Sequence, residues 1–190
     1  DDNSGNCVNL KRASTPDGTT WWFGWLQSDS AGEGERTFDA TQGALFPYLR
    51  GRGVELCPSF NYSVAQFKMK ATGATYGYGY NFYLSSAPQN KPPVNVSRIA
   101  RPADLALFAD AAQINDFQEP ASASNPMLEE WYYMDTNSFY PNGHFRHSQK
   151  ANVIFCDSHV APERPVPGSI DQRLPNQFVG RLRSEILALP

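Results

Sequence analysis

Residues 147–160 constrain the fold more than any other stretch, because a polar turn, a buried strand and a second turn follow one another there. The run 152–156 is β-branched and aromatic, and polar turn residues flank it on both sides. Such a run is typical of a strand that enters a tight reversal. We therefore predict an antiparallel strand with Val153 and Phe155 on one face and the alternate residues Ile154 and Cys156 on the other.

A histidine and an aspartate bracket this strand, since nine residues separate His147 from Asp157. Four further blocks precede it along the chain: Leu45-Phe46-Pro47-Tyr48-Leu49, then Leu56-Cys57-Pro58-Ser59, then Tyr76-Gly77-Tyr78-Gly79-Tyr80-Asn81, then Arg101-Pro102-Ala103-Asp104-Leu105-Ala106-Leu107-Phe108-Ala109-Asp110. Each block alone is common in proteins. Their order, together with the His-to-Asp spacing, is not expected by chance.

In content and order these blocks resemble the prepilin-type processing-associated proteins, a bacterial family similar to the pseudopilins of type II secretion. The signature of that family is a His-x9-Asp-Gly motif. Here His147 and Asp157 match the first two positions and Ser158 replaces the glycine. The turn after the strand therefore lacks the residue that adopts a positive φ at low cost.

The resemblance implies an α+β fold in which a pilin-like antiparallel sheet packs on an N-terminal helix, the helix being largely absent from this chain. It also implies a structural subunit of a type II secretion or type IV pilus-related assembly. The expected partners are other pseudopilin subunits and the secretion machinery. The head domain would lie in the periplasm, anchored in the inner membrane by the missing helix. The chain opens on Asp1-Asp2-Asn3 without an initiator Met, which we interpret as the start of a fragment.

Length and composition predict a single globular domain over residues 1–190. Hydrophobic residues make up 41% of the chain and charged residues only 18%. The net charge is -3, and no cluster of Lys and Arg is interleaved with aromatic residues, which disfavours nucleic-acid binding. The sequence has no apolar run of about 18 residues that would predict a membrane span.

Three cysteines permit one disulfide and leave one thiol unpaired. Cys156 lies in the predicted apolar strand and is expected to be a small buried hydrophobe. Cys7 and Cys57 are the candidate disulfide pair. No Cys-x-x-Cys motif or zinc-finger spacing is present.

Elsewhere, propensity predicts strands at 19–26, 54–57, 75–84 and 105–109, and an irregular region at 110–145. Gly77 and Gly79 alternate with tyrosines, which predicts a second backbone or a ring close to one face of that strand. Asp39 is predicted to cap a short helix that Pro47 interrupts. Prolines in 162–167 oppose regular pairing. Phe178, Leu182 and Ile186 recur every four residues, which favours a C-terminal helix.

Catalysis is not predicted, because the chain has no Gly-x-Ser-x-Gly elbow, no phosphate loop, and no sequence neighbour of Cys57 that would activate a thiol. The alternative is a metal site built from histidines and aspartates: His144, His147 and His159 with Asp110 and Asp157. Residues at opposite ends of one strand lie far apart, so we interpret His147, Asp157 and Ser158 as structural and predict no metal ligands. The side chains of His147 and Asp157 are expected to bond loop amides and carbonyls around the buried strand.

Two further alternatives remain open. Trp21-Trp22-Phe23-Gly24-Trp25 and Trp131-Tyr132-Tyr133 would suit a secreted carbohydrate-binding β-rich module if the rings were exposed, although such density is more often core or interface. Five acidic residues in 110–145 supply oxygen ligands of the type that calcium takes: Asp116, Glu119, Glu129, Glu130 and Asp135. The resemblance adds weight to calcium, because major pseudopilins hold it in a loop beside their sheet.

Overall fold

The computed structural model describes residues 4–28, 34–49, 56–73, 76–86 and 91–188. The described residues form a mostly β structure with four sheets, and their helical structure is short. The strands are β1 Lys11–Thr15, β2 Gly18–Trp21, β3 Gly24–Gln27, β4 Phe38–Asp39, β5 Phe67–Lys68, β6 Tyr78–Asn81, β7 Ala106–Asp110, β8 Ala112–Asn115, β9 Met127–Glu130, β10 Tyr133–Met134, β11 Gly143–His144, β12 Ala151–Phe155, β13 Val160–Glu163 and β14 Val179–Gly180.

The helical elements are one α-helix and several 3₁₀ turns. Helix α1 spans Phe46–Leu49. The 3₁₀ turns span Ala40–Gln42, Phe82–Leu84, Val96–Arg98, Pro102–Asp104, Pro175–Gln177 and Ser184–Ile186. The antiparallel sheet of the predicted α+β fold is thus present, whereas the described residues contain no long N-terminal helix.

The central sheet has the order β10-β6-β7-β12-β13. Its pairs are antiparallel except β10 with β6, which is parallel. The predicted strand 105–109 corresponds to β7. The predicted strand 75–84 is shorter in the structure, because Asn81 caps a 3₁₀ turn after β6 by accepting a hydrogen bond from the backbone N–H of Tyr83. Residue 75 lies outside the described residues, as do residues 54 and 55 of the predicted strand 54–57.

Strand β12 confirms the predicted alternation of faces. Ala151, Val153 and Phe155 are buried, whereas Asn152 and Ile154 face outward. A tight turn follows the strand, and β13 returns antiparallel to β12. The prediction that prolines prevent pairing here is wrong for Pro162, which pairs with Asn152. Strand β13 is the edge of the sheet, where a proline without an N–H is tolerated.

The aromatic run 19–26 forms a hairpin and not the single strand that was predicted. Strands β2 and β3 pair antiparallel around Trp22 and Phe23. Gly24 has a φ of 154°, and a Cβ there would lie 2.6 Å from the ring of Phe38. A residue without a side chain therefore permits the reversal, which turns Trp22 and Phe23 into the core.

The C-terminal prediction is wrong in its secondary structure. Phe178 adopts a left-handed conformation with φ 52°, and β14 follows it and pairs antiparallel with β11. The spacing of apolar residues nevertheless reflects burial, because Leu182 and Ile186 pack with Phe155 in one cluster. Tertiary packing, and not helical periodicity, places these side chains in the core.

The region 110–145, predicted to be irregular, contains β8, β9, β10 and β11. Strands β5, β9 and β8 form a separate sheet in which β8 and β9 are antiparallel. At the other end of the chain, Asp39 caps the turn Ala40–Gln42 as predicted, by accepting a hydrogen bond from the N–H of Thr41 at 2.9 Å.

The predicted disulfide between Cys7 and Cys57 is absent, and all three cysteines are free thiols. Cys7 packs in a cluster with Trp22 and Tyr80, whereas Cys57 packs in a different cluster with Phe60 and Ile114. The two thiols are thus buried in separate parts of the core. Cys156 is half-buried, and burial raises its pKa to about 11.

Candidate functional site

Three side chains that are distant in the sequence converge beside the central sheet: those of Cys57, Asp110 and His147. The Nε2 atom of His147 lies 3.2 Å from Oδ2 of Asp110 and 3.5 Å from Sγ of Cys57. The sulfur, nitrogen and carboxylate oxygen all lie within 4.8 Å of one another. We call this group the Cys57-Asp110-His147 cluster.

Each member of the cluster is placed by a different element. Asp110 is the last residue of β7 and pairs with Tyr78 of β6. His147 begins the turn before β12, in which the backbone groups of His147 and Lys150 exchange hydrogen bonds of 3.0 and 3.1 Å. The loop of Cys57 approaches β6 closely, because its backbone nitrogen lies 3.2 Å from where a Cβ of Gly77 would be. A side chain at position 77 would push this loop away.

The carboxylate of Asp110 is fully buried and accepts hydrogen bonds on both oxygens. Oδ1 accepts from Nη2 of Arg146 at 2.5 Å, and Oδ2 accepts from the backbone N–H of Asn152 at 2.7 Å. Burial raises the pKa of Asp110, and the positive charge of Arg146 opposes that shift. The Arg146 and Asn152 donors fix the orientation of the carboxylate toward His147.

Arg146 connects the cluster to neighbouring groups. Its guanidinium also donates to the carbonyl of Gly77 at 2.5 Å and to Nδ1 of His144 at 3.1 Å, and it stacks over the ring of Phe60. Burial, reinforced by the positive charge of Arg146, lowers the pKa of His144 to about 3. His144 is therefore neutral, with Nδ1 as an acceptor.

A cavity of about 650 Å³ lies directly against the Cys57-Asp110-His147 cluster. Its walls are mainly apolar, and the principal ones are Trp22, Phe23, Leu45, Phe46, Leu49 and Phe108. Ile154 and Val160 form its rim on β12 and β13, and Val160 is 60% exposed. The cavity is thus an open apolar groove on the outer face of the central sheet, and we call it the sheet groove.

The two predicted signature residues, His147 and Asp157, do not meet. Asp157 lies at the far end of β12, where its carboxylate accepts a hydrogen bond from the N–H of His159 at 3.1 Å and contacts Nδ1 of that ring at 2.6 Å. These bonds lower the pKa of Asp157. Ser158 has a φ of 75°. A positive-φ turn therefore forms although serine replaces the glycine that would adopt it at low cost, and Asp157 is an acceptor for a turn amide, as predicted.

His147 has a different environment from the one predicted. Its side chain contacts a buried carboxylate and a thiol, and not the loop amides and carbonyls that the sequence suggested. The partners Cys57 and Asp110 each lie in one of the four sequence blocks. Their place in these blocks was the one feature of the sequence that could have linked them to His147. Arg146 gave no signal beyond its position beside His147.

Four of the five acidic residues with oxygen ligands suited to calcium have other partners, and one of them, Glu130, accepts a hydrogen bond from the backbone N–H of Tyr76 at 3.2 Å. Asp116 forms an ion pair with Arg173 at 3.1 Å, and Glu129 pairs with Lys68 at 3.5 Å and with Lys70. Asp135 accepts hydrogen bonds from the amides of Asn137 and Asn142. Among the described residues, the one group of three Cys, His, Asp or Glu side chains with metal-ligand spacing is the Cys57-Asp110-His147 cluster.

The tryptophans are packed within the fold. Trp22 is buried, and its indole N–H donates to the carbonyl of Tyr132 at 2.8 Å. Trp21, Trp25 and Trp131 are partly buried, and all four tryptophans belong to the described part of the chain. Lys70 lies over the ring of Trp131, 5.0 Å from its centre. This packing favours core and interface roles over stacking on sugar rings.

Comparison of the chain with protein-family models, with curated proteins and with solved structures found no match. Within the described ranges, no helix has both the length and the apolar character that crossing a bilayer requires.

Proposed function

We propose that this chain is the head domain of a pilin-like assembly subunit, a structural protein and not an enzyme, with its sheet groove receiving an apolar helix. The helix belongs to a neighbouring subunit of the filament. The proposal includes a pilin-like α+β fold, a head domain in the periplasm and an anchor in the inner membrane.

The observation that carries the proposal is the convergence of the sequence blocks on one groove. Cys57, Tyr78 and Asp110 come from three blocks, and together with His147 they line the same cavity. The first block supplies Leu45, Phe46 and Leu49 to the opposite wall. All four blocks and the histidine of the signature thus contribute to one groove, whereas Asp157 and Ser158 lie outside its lining.

The apolar character of the groove supports an assembly role. Val160 and Ile154 are large hydrophobic side chains on the rim and are 60% and 36% exposed. Exposed apolar surface next to a preformed cavity is typical of a binding groove for protein or another apolar ligand. An amphipathic or apolar helix fits such a groove through side chains spaced three and four residues apart.

The decisive experiment is N-terminal sequencing of the mature protein purified from its native membrane fraction. The proposal expects cleavage by a prepilin peptidase just before an apolar stretch of about 20 residues. A mature protein that starts after a conventional secretory signal peptide, or one without any such stretch, would overturn it.

A second experiment tests the groove. The Val160→Asp substitution in the full-length protein should abolish crosslinking to neighbouring subunits, because a charge cannot enter an apolar contact without a large desolvation cost. Phe139→Asp is the matched control, since Phe139 is 71% exposed and lies outside the groove lining. Equal crosslinking by both variants would contradict the assignment of the groove.

A further inference from the structure

We propose that Cys57, Asp110 and His147 bind a zinc ion through three protein ligands, with the fourth coordination position facing the sheet groove. This inference goes beyond the assembly role and does not depend on it. The ligand atoms are Sγ of Cys57, Nε2 of His147 and Oδ2 of Asp110.

Two of the three distances between the ligand atoms match the edges of a zinc tetrahedron, and the third, from Sγ of Cys57 to Oδ2 of Asp110, is within 4.8 Å. With zinc bonds of about 2.0 Å to nitrogen and oxygen and about 2.3 Å to sulfur, tetrahedral angles place N and S about 3.5 Å apart and N and O about 3.3 Å apart. The observed separations are 3.5 Å for Sγ to Nε2 and 3.2 Å for Nε2 to Oδ2. Nε2 of His147 therefore already lies at zinc-ligand separation from both other atoms, and binding the ion would draw Sγ of Cys57 and Oδ2 of Asp110 toward each other.

The chemistry of the three atoms also points to a metal. A carboxylate oxygen is an acceptor, and so are a thiolate sulfur and the unprotonated nitrogen of an imidazole. Three such atoms within 4.8 Å of one another are held together either by a shared proton or by a metal ion between them. Thiolate, imidazole and carboxylate together are ligands that zinc accepts, whereas calcium takes oxygen ligands only.

The surroundings of Asp110 resemble the hydrogen-bonded outer shell of a metal ligand. Arg146 donates to Oδ1, the oxygen that does not face His147, and the N–H of Asn152 donates to Oδ2. Donors of this kind orient a ligating carboxylate and hold it in place before the metal arrives. The two negative charges of the thiolate and the carboxylate balance the charge of the zinc ion, and the positive charge of Arg146 balances the Asp110 carboxylate before the ion binds.

The fourth position faces the groove because all three ligand residues line its wall. Structural zinc sites are closed by four protein ligands, whereas three ligands leave a position for water. The side chain of His147 is 28% exposed, which provides a path for the ion. The geometry thus describes an open zinc site in the wall of an apolar groove.

The competing explanation is a metal-free hydrogen-bond cluster in which one proton on Nε2 of His147 is shared between Asp110 and Cys57. Metal content separates the two explanations. The purified full chain is stripped with a chelator, equilibrated with a modest excess of zinc, desalted, and analysed by elemental mass spectrometry. About one zinc per chain is expected, as for a single mononuclear site. A wild-type protein that retains no zinc would overturn the proposal.

Variants identify the ligands with matched controls. Cys57→Ala and His147→Ala should each lose stoichiometric zinc, whereas Cys156→Ala and His159→Ala should keep it. Both control residues lie beyond the groove lining, at the far end of β12. Far-UV circular dichroism verifies that each variant is folded. Zinc that persists without Cys57 and His147, or that disappears in a control variant, would overturn the ligand assignment.

Cobalt substitution of the wild-type chain gives a readout that does not require a variant to fold. Cobalt bound through Cys57 should show a thiolate-to-cobalt charge-transfer band in the near ultraviolet and the strong visible bands of a four-coordinate ion. Weak visible bands alone, of the kind that six-coordinate cobalt gives, would show that the cysteine is not a ligand and would contradict the proposed site.

Discussion

Ser158 holds the turn between β12 and β13 in a left-handed conformation, with a φ of 75°. A residue with a Cβ carries a cost of about 1–2 kcal/mol in this region. Its neighbour Asp157 compensates by accepting the hydrogen bond from the N–H of His159. The turn therefore forms without glycine, but at a cost that substitution can remove.

The Ser158→Gly substitution is expected to raise the free energy of unfolding by up to about 1 kcal/mol, because relief of the positive-φ strain exceeds the added flexibility of the unfolded chain. Urea denaturation measures the change. Ser158→Ala is the matched control, since it removes the hydroxyl and keeps the Cβ, and it should give no gain. A Ser158→Gly variant less stable than wild type would contradict the strain argument.

His144 gives the fold a pH dependence whose sign follows from its lowered pKa of about 3. The unfolded chain, with a histidine pKa of about 6.5, binds a proton that the folded state does not bind between these two values. Stability is therefore fully present above about pH 6.5 and falls as the pH is lowered toward 3. The slope for one group is at most about 1.4 kcal/mol per pH unit.

The measurement is the difference between wild type and His144→Gln in urea denaturation from pH 7 to pH 4. The variant should lose less stability across this range than wild type does. The titratable groups near His144 are Arg146 and His147. The raised pKa of Asp110 acts in the opposite direction, favouring the folded state at lower pH, and comparison of the two proteins cancels that contribution. Parallel pH profiles would rule out His144 as the source.

Strand β12 shows at the scale of one element how alternation divides a sequence between core and groove. Phe155 is buried in a cluster with Leu182 and Ile186, whereas Ile154 faces the sheet groove. Phe155→Ala should lower the free energy of unfolding by about 3–5 kcal/mol, the range for deleting a buried ring. Ile154→Ala, on the same strand but at the rim, should change it by less than about 1 kcal/mol. Chemical denaturation of both variants tests this difference, and equal losses would show that the two faces were assigned wrongly.

The pattern of apolar residues predicted those elements in which the strand preference of the residues agrees with their burial in the fold. The two-residue period of β12 and the apolar run of β7 were sufficient, because both strands lie inside the central sheet. The glycines of β6 were also informative: a Cβ at Gly79 would lie 2.9 Å from the backbone carbon of Tyr133, on the parallel neighbour β10. The close approach of a second backbone was therefore predictable from the sequence.

The errors at the element scale arise where tertiary contacts override local preference. Phe178, Leu182 and Ile186 have helical spacing, yet the pairing of β14 with β11 leaves room only for 3₁₀ turns on either side. The cluster around His147 was missed for a related reason. Its partners Cys57 and Asp110 lie 90 and 37 residues away along the chain, and no local pattern reports contacts at that separation.

At the scale of the whole molecule, three apolar clusters connect the sheets. One of them packs the C-terminal segment against the central sheet, where Leu182, Ile186 and Leu187 cover Val153 and Phe155. A second joins Trp22 of the N-terminal hairpin to Tyr80 of β6. A third contains Leu128 of β9 and Val179 of β14. Segments from both halves of the chain thus contribute to the second and third clusters, and the single domain over residues 1–190 stays a prediction.

The C-terminal segment is expected to be essential for the central sheet, although it contains only a short 3₁₀ turn and no regular helix. A chain ending at Arg181 loses three buried aliphatic side chains, Leu182, Ile186 and Leu187, each worth about 1.5–3 kcal/mol of burial. It also leaves the buried amide of Asn81 without its bond to the carbonyl of Leu187, at 3.0 Å. The combined loss is comparable with the whole stability of a typical domain, about 5–15 kcal/mol.

The truncated chain should therefore show no cooperative thermal unfolding by near-UV circular dichroism, whereas a chain ending at Ala188 keeps all three side chains and should unfold like wild type. A cooperative transition in the shorter chain would mean that the central sheet is stable without this segment.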